Sequence, residues 1–146
     1  MLTIQRMNRE HLEAVAAIEA DVFSTPWTKQ GFADTLNMEN VMFFVAVENG
    51  NVVGYCGIYL AADEGEITNV AVSSTYRRMG IADMLLKNLL KEATQKGAVR
   101  FILEVRCSNR PAIQLYKKFG FEIQGKRKDF YEKPKEDAYI MILDRS

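Results

Sequence analysis

The sequence predicts a single α/β domain, residues 1–146, with a mixed, mostly antiparallel central sheet flanked by about four helices. Three observations carry this. Val41 to Val47 (VMFFVAV) and Val52 to Leu60 are strand-like runs joined by Glu48-Asn49-Gly50-Asn51, a hairpin turn, so the sheet begins antiparallel. Strand and helix patterns then alternate as β-α-β-α-β. No repeat, low-complexity stretch or linker interrupts the chain, and its length suffices to bury one core.

Thr3 to Arg6 reads as a short opening strand. Arg9 to Phe23 places Leu12, Val15, Ala16 and Ile18 or Glu19 at helical spacing, with Asn8 as N-cap. Ser24-Thr25-Pro26-Trp27-Thr28 breaks that helix, and Thr28 caps a second, Lys29 to Leu36. After the hairpin, Ala61 to Gly65 separates Leu60 from another strand, Glu66 to Val72. The helix after Gly80 puts Ile81, Met84, Leu85, Leu89 and Ala93 on one face and stops at Gly97. Arg100 to Val105 (RFILEV) is an apolar strand. Asn109 to Phe119 is a helix with Pro111 in its first turn and Gly120 as its stop. Phe121 to Gly125 and Ala138 to Leu143 close the sheet, and the charged run Lys126 to Asp137 between them reads as a solvated, mobile loop.

Composition narrows the function classes. Lys+Arg and Asp+Glu balance at 19 each, so no overall basic field argues for a nucleic-acid partner. No segment approaches the ~20 uninterrupted apolar residues of a membrane span. Arg6, Arg9, Glu10 and Glu13 leave no apolar core for a signal peptide, so the expected location is the cytoplasm. Cys56 and Cys107 lie far apart in a chain with one histidine, His11, which argues against a metal site or a Cys/His nucleophile. Both cysteines read as reduced packing residues, and His11 as a surface or helix-end residue.

The turn Arg77-Arg78-Met79-Gly80-Ile81-Ala82 joins a strand to a helix. A helix N-terminus offers unpaired N–H groups and a dipole that favours negative charge. Gly80 lets backbone approach a bulky ligand, and the arginines add charge-assisted bonds to phosphate oxygens. The plainer alternative is a pair of exposed basic residues. Arginine at a helix N-terminus is, however, unfavourable to the helix itself, and an anion between the two would offset that.

This turn resembles the acetyl-CoA pyrophosphate loop of the GNAT acetyltransferases, (Q/R)-x-x-G-x-(G/A), matched by Arg77, Gly80 and Ala82. The family's later pattern, N-x-x-A-x-x-x-Y-x-x-x-G-F, is matched by Asn109, Ala112, Tyr116, Gly120 and Phe121. Further along, Pro26-Trp27-Thr28 with Phe32, Leu103-Glu104-Val105-Arg106 with Ser108-Asn109, and Glu136-Asp137-Ala138 with Met141 look like one branch of that family. That branch acetylates the N-terminal alanine of a protein of the small ribosomal subunit.

The resemblance implies a GNAT fold, acetyl-CoA as co-substrate without a metal, and a protein N-terminus, that of a ribosomal protein, as acceptor. It implies Glu104 as general base, directly or through a water, and Tyr116 as the acid that protonates the departing sulfur. Val70, Ala71 and Val72 would hydrogen-bond the acetyl and pantetheine parts through their backbone. Arg77 and the amides of Arg78, Met79, Gly80, Ile81, Ala82 and Asp83 would hold the pyrophosphate, with Asn109 and Tyr116 as further cofactor contacts. Trp27 and Tyr131 fall on the peptide side. Phe130 departs from the branch, which has two adjacent tyrosines there, so one hydroxyl is missing.

Other readings of these residues stay open. A carboxylate in an apolar strand needs a partner, and Arg106 would serve Glu104 structurally. Tyr116 at helical spacing suits a core, and Pro26-Trp27 a packed loop. Glu66 is a rival base, on the strand where other GNAT enzymes often keep their carboxylate. Asp63, Glu64 and Glu66 form an acidic cluster that would suit a small amine such as a polyamine or antibiotic. A non-catalytic acyl-CoA-binding module is the remaining alternative, although it would need neither Glu104 nor Tyr116.

Overall fold

The computed structural model describes residues 1–146. In chain order the elements are β1 (Leu2–Arg6), α1 (Leu12–Val22), α2 (Lys29–Thr35), β2 (Val41–Glu48), β3 (Asn51–Ala61), β4 (Glu64–Val72), α3 (Ile81–Gln95), β5 (Arg100–Arg106), α4 (Arg110–Lys118), β6 (Glu122–Glu132) and β7 (Lys135–Asp144). The strands form one sheet in the order β1-β2-β3-β4-β5-β7-β6. Every neighbouring pair is antiparallel except β4 and β5. This is the single α/β domain with four helices that the pattern of runs and turns predicts.

Local chemistry explains the boundaries. The Asn8 side chain accepts from Glu10 N at 2.9 Å while His11 Nδ1 accepts from Asn8 N at 3.1 Å, a reciprocal cap that makes His11 a helix-end residue. The first turn, Arg9–His11, is a 3-10 helix, so α1 proper starts later than the periodicity suggests. Thr28 Oγ1 accepts from Gly31 N at 3.1 Å and starts α2. Asn49 and Gly50 both have positive φ, 50° and 83°, the type I′ geometry whose twist matches the flanking strands. β4 begins at Glu64, so only a tight turn at Ala62 and Asp63 separates it from β3.

The main correction concerns Lys126 to Asp137. The run is no loop: β6 and β7 extend through it and pair as far as Glu132↔Lys135. β6 is an edge strand with nearly every residue exposed, so neither face needs apolar side chains and no alternation marks it.

Two cores lie on opposite faces of the sheet. Under α3 and α4, Leu85, Leu86 and Leu89 meet Phe101, Leu103, Val105 and Tyr116. Under α1 and α2, Val15, Ile18 and Phe32 meet Phe43, Tyr55 and Ala71. No helix is long and apolar enough to cross a membrane.

Candidate active site

The site begins where the sheet comes apart. β4 and β5 run parallel but pair only at Glu64↔Arg100, Gly65↔Phe101 and Glu66↔Ile102. Beyond Glu66 the strands diverge, while β4 stays paired to β3 as far as Gly54↔Val72 and β5 to β7 as far as Arg106↔Ala138. The register of β3 and β4 slips once, between Gly57↔Asn69 and Ile58↔Ile67, which leaves Thr68 as a bulge. The bulge changes the facing of β4: Ile67 packs toward α3, whereas Ala71 packs toward α1. Ser73 N donates to Val53 O at 2.8 Å, so by the alternation of an antiparallel pair Ala71 also directs its backbone at β3. Val70 and Val72 therefore turn their N–H and C=O groups into the gap. Of the three residues expected to bond the pantetheine arm, Ala71 lacks a backbone group on that side.

At the open end of β4 the chain makes a 3-10 turn at Ser74–Tyr76 and reaches α3 through Arg77 to Gly80, all exposed. Arg78 and Gly80 are left-handed, with φ of 65° and 76°. Arg78 is not a glycine, and its conformation costs about 1–3 kcal/mol. A Cβ on Gly80 would meet no protein atom within 4 Å. The glycine there answers to φ and to open space outside the protein, not to packing. No side chain caps α3, so the N–H groups of its first residues, Ile81, Ala82 and Asp83, lack intrahelical partners. Buried Ile81 fixes the end of the helix in the core, and the Asp83 carboxylate pairs with Lys118 of α4. These features fit an anion the size of a pyrophosphate. Asn109 Oδ1 accepts from Ala112 N at 3.3 Å and caps α4, leaving its amide nitrogen for any ligand contact.

Glu104 and Tyr116 stand on opposite faces of β5. Phe101, Leu103 and Val105 share the large core with Tyr116, and Glu104 alternates to the other side. Its partner is Arg127 on β6, Nε to Oε2 3.4 Å, and not Arg106. Burial raises the Glu104 pKa, the Arg127 charge opposes that shift, and the nearby Glu66 charge adds to it. Tyr116 is 7% exposed and meets Phe121 edge-on at 5.7 Å. Burial pushes its hydroxyl well above the ordinary phenol range, with proximity to Cys56 and Tyr131 adding to the shift.

On the Glu104 side, Tyr131 is half-buried, and its pKa is pushed up to about 12 by burial, with Arg106 opposing and Glu104 adding. Phe130 packs edge-on against it at 5.0 Å. Trp27 rests on Phe32 and Phe43 at 5.2 and 5.8 Å and leaves 38% of itself exposed, so it is both a packed ring and an available surface. Its backbone N–H donates to Glu19 Oε2 at 3.0 Å. Glu19 is only 2% exposed, and its other oxygen accepts from the Tyr55 hydroxyl and, at 3.1 Å, from Asn69 Nδ2. Asn69 sits beside the bulge, so one buried carboxylate ties the Trp27 segment to the diverging part of β4. Sequence reasoning missed both Glu19 and Arg127. The signal for Glu19 was a carboxylate on the apolar stripe of α1, and edge strand β6 carried none for Arg127.

The remaining candidates separate. Glu64 is paired with Arg100 at 2.5 Å, and of the acidic cluster Glu66 is the residue whose charge acts on Glu104. Both cysteines are free. Cys56 is buried, as expected of a packing residue, and burial pushes its thiol up, but Cys107 is partly exposed near Tyr131.

Residues 12–121 match the acetyltransferase (GNAT) family. A protein of Bacillus subtilis (strain 168), provisionally named a ribosomal protein bS18-alanine N-acetyltransferase, is 40% identical over 94% of this chain and 92% of its own length. The ribosomal protein bS18-alanine N-acetyltransferase of Escherichia coli (strain K12) is 33% identical over 98% of this chain and 97% of its own. A crystal structure of a ribosomal-protein-alanine N-acetyltransferase from Escherichia coli superposes with a TM-score of 0.91 at 33% identity, covering 100% of this chain and 95% of that one.

Proposed function

This chain belongs to the GNAT acetyltransferase family, and from that premise we propose that it moves the acetyl group of acetyl-CoA onto the N-terminal α-amine of a protein. The acceptor we propose is the N-terminal alanine of ribosomal protein bS18, the substrate in the names of its relatives. Such a reaction belongs in the cytoplasm, where ribosomal proteins are made. The observation that carries the reading is the divergence of β4 from β5, with a carboxylate on one face of β5 and a phenol on the other.

In this reading the backbone of Val70 and Val72 aligns the pantetheine arm in the gap, and the amides from Arg78 to Asp83 hold the pyrophosphate. The amine arrives from the Glu104 side. A free α-amine, with a pKa of about 7.7–8.0, is roughly a tenth neutral at pH 7, whereas a lysine at about 10.4 is almost wholly protonated, so the base has little to do beyond taking one proton. The amine nitrogen bonds to the acetyl carbon and the carbon–sulfur bond breaks. Glu104 takes the amine proton, and its raised pKa suits that task. Tyr116 gives its proton to the leaving thiolate from the opposite face. Solvent then returns a proton from Glu104 to Tyr116.

A small-amine acceptor is less well supported, because Glu64 of the acidic cluster is already neutralised by Arg100. The test is acetylation of peptides differing only in their first residues, with tandem mass spectrometry to locate the acetyl group. Peptides starting Ala-Arg or Ser-Ala should carry it on the α-amine. Acetyl found only on lysine ε-amines or polyamines would end the N-terminal reading and leave the family untouched.

A further inference from the structure

The mechanism leaves one half-buried cation without a role. Arg106, the last residue of β5, spends its guanidinium on two segments far apart in sequence. Nη1 donates to Pro134 O at 2.8 Å and to Glu136 Oε1 at 3.3 Å. Nη2 donates to Lys133 O at 3.2 Å and to Ser24 Oγ at 3.3 Å. The guanidinium carbon lies 4.3 Å from the centre of the Tyr131 ring. Ser24 opens the Trp27 segment, and the other partners belong to the β6–β7 hairpin, so one side chain bridges both sides of the space in front of Glu104. Glu136 reinforces the hub by accepting from Ser108 N at 2.7 Å. Only an arginine presents donors in a fork broad enough for these acceptors, since a lysine offers its donors from one point.

We infer that Arg106 is a positioning residue for the acceptor: it holds the Trp27 segment and the β6–β7 hairpin in one register, and so sets the affinity for the peptide beyond its first residue. This rests on the reading of the chain as an N-terminal acetyltransferase. Arg106 has no part in the transfer itself. It faces the acceptor side with Glu104, away from Tyr116 and from the loop that holds the pyrophosphate. Its loss should therefore weaken long acceptors and spare short ones. A purely structural arginine would instead affect every substrate alike.

The experiment compares the wild type, Arg106→Lys and Ser24→Ala on an alanine-initiated peptide and on alanine amide, which has no chain to hold. Wild-type turnover on the peptide comes first; if its α-amine is not acetylated, the functional reading fails and this inference with it. Given that activity, Arg106→Lys should raise the peptide KM about tenfold, the scale of lost charge-assisted bonds. Its kcat, its KM for acetyl-CoA and its kcat/KM on alanine amide should stay within about twofold of the wild type. Ser24→Ala, which cuts only the link between the two segments, should raise the peptide KM about two- to threefold without moving the melting temperature. Should Arg106→Lys fail to fold, Ser24→Ala decides. Equal losses on both acceptors, or no change on either, would overturn the inference and leave the acetyltransferase reading intact.

Discussion

Arg127 Nε stands 3.4 Å from Glu104 Oε2 although the two residues lie on strands that never pair, with β7 between them. The cation opposes the shift that burial imposes on the carboxylate, and Glu66 reinforces it. These opposed influences give a signed expectation. As the proposed base, Glu104 would act only when ionised, so activity should fall on the acid side as pH drops through its pKa. Arg127→Ala removes a charge that lowers this pKa and should move the acid limb of the pH–rate profile to higher pH. Glu66→Gln removes a charge that raises it and should move the limb to lower pH. Arg127 is about half exposed, so its shift should be under about one pH unit.

Turnover at high pH separates the two carboxylates. Glu104→Gln should lower kcat by about 10²–10⁴ with acetyl-CoA binding retained, whereas Glu66→Gln should change it little. A large loss from Glu66→Gln on the same peptide would transfer the role of base to that residue.

Tyr116→Phe keeps a ring in the core and removes only the hydroxyl. Stability should hold within about 1 kcal/mol while kcat falls about 10²-fold. Denaturation and steady-state kinetics on one preparation check both halves.

Gly80→Val puts a β-branched residue at a φ of 76° and a side chain where the pyrophosphate is proposed to sit. Its KM for acetyl-CoA should rise more than about tenfold while the fold survives, because no protein atom lies near the added Cβ. Arg78→Ala should have a milder effect, since in the proposed site backbone amides would do most of the holding. Unchanged cofactor affinity in folded Gly80→Val protein would remove the loop from the site.

Glu19→Gln replaces an acceptor-only group that serves Tyr55, Asn69 and the Trp27 amide. An amide must turn its NH₂ toward one of these donors, so unfolding should become easier by about 1–3 kcal/mol. A urea midpoint that falls with unchanged slope is the expected result.

The elements were legible because each carries its own local signal. The caps at Asn8 and Thr28, Pro111 in the first turn of α4, the Asn49-Gly50 turn and the apolar runs of α3 and β5 all act over a few residues. The junction from Arg77 to Ala82 was legible as a helix start for the same reason, and the anion it would hold belongs to the proposal. Glu104 stood out as a charge in an apolar strand, but its partner did not, because Arg127 arrives through two strand pairings whose register no short window encodes. The divergence of β4 from β5 was hidden likewise. It shows only in the pairings that stop at Glu66, next to the Thr68 bulge, and both are properties of strand neighbours and not of β4 alone. The β6–β7 hairpin escaped notice because an exposed edge strand needs no apolar period.

The interior edge of β4 also bears on how the fold breathes. Val70 and Val72 lie mid-sheet, yet their N–H groups face the gap and have no strand partner there. In deuterated solvent their amides should exchange faster than that of Ala71, which is locked to β3. A ligand seated along that edge would act as one more strand, slowing those two positions. Because it binds only the folded chain, it would raise the melting temperature in proportion to the logarithm of its concentration. Hydrogen exchange would then map the cofactor to individual amides without any turnover.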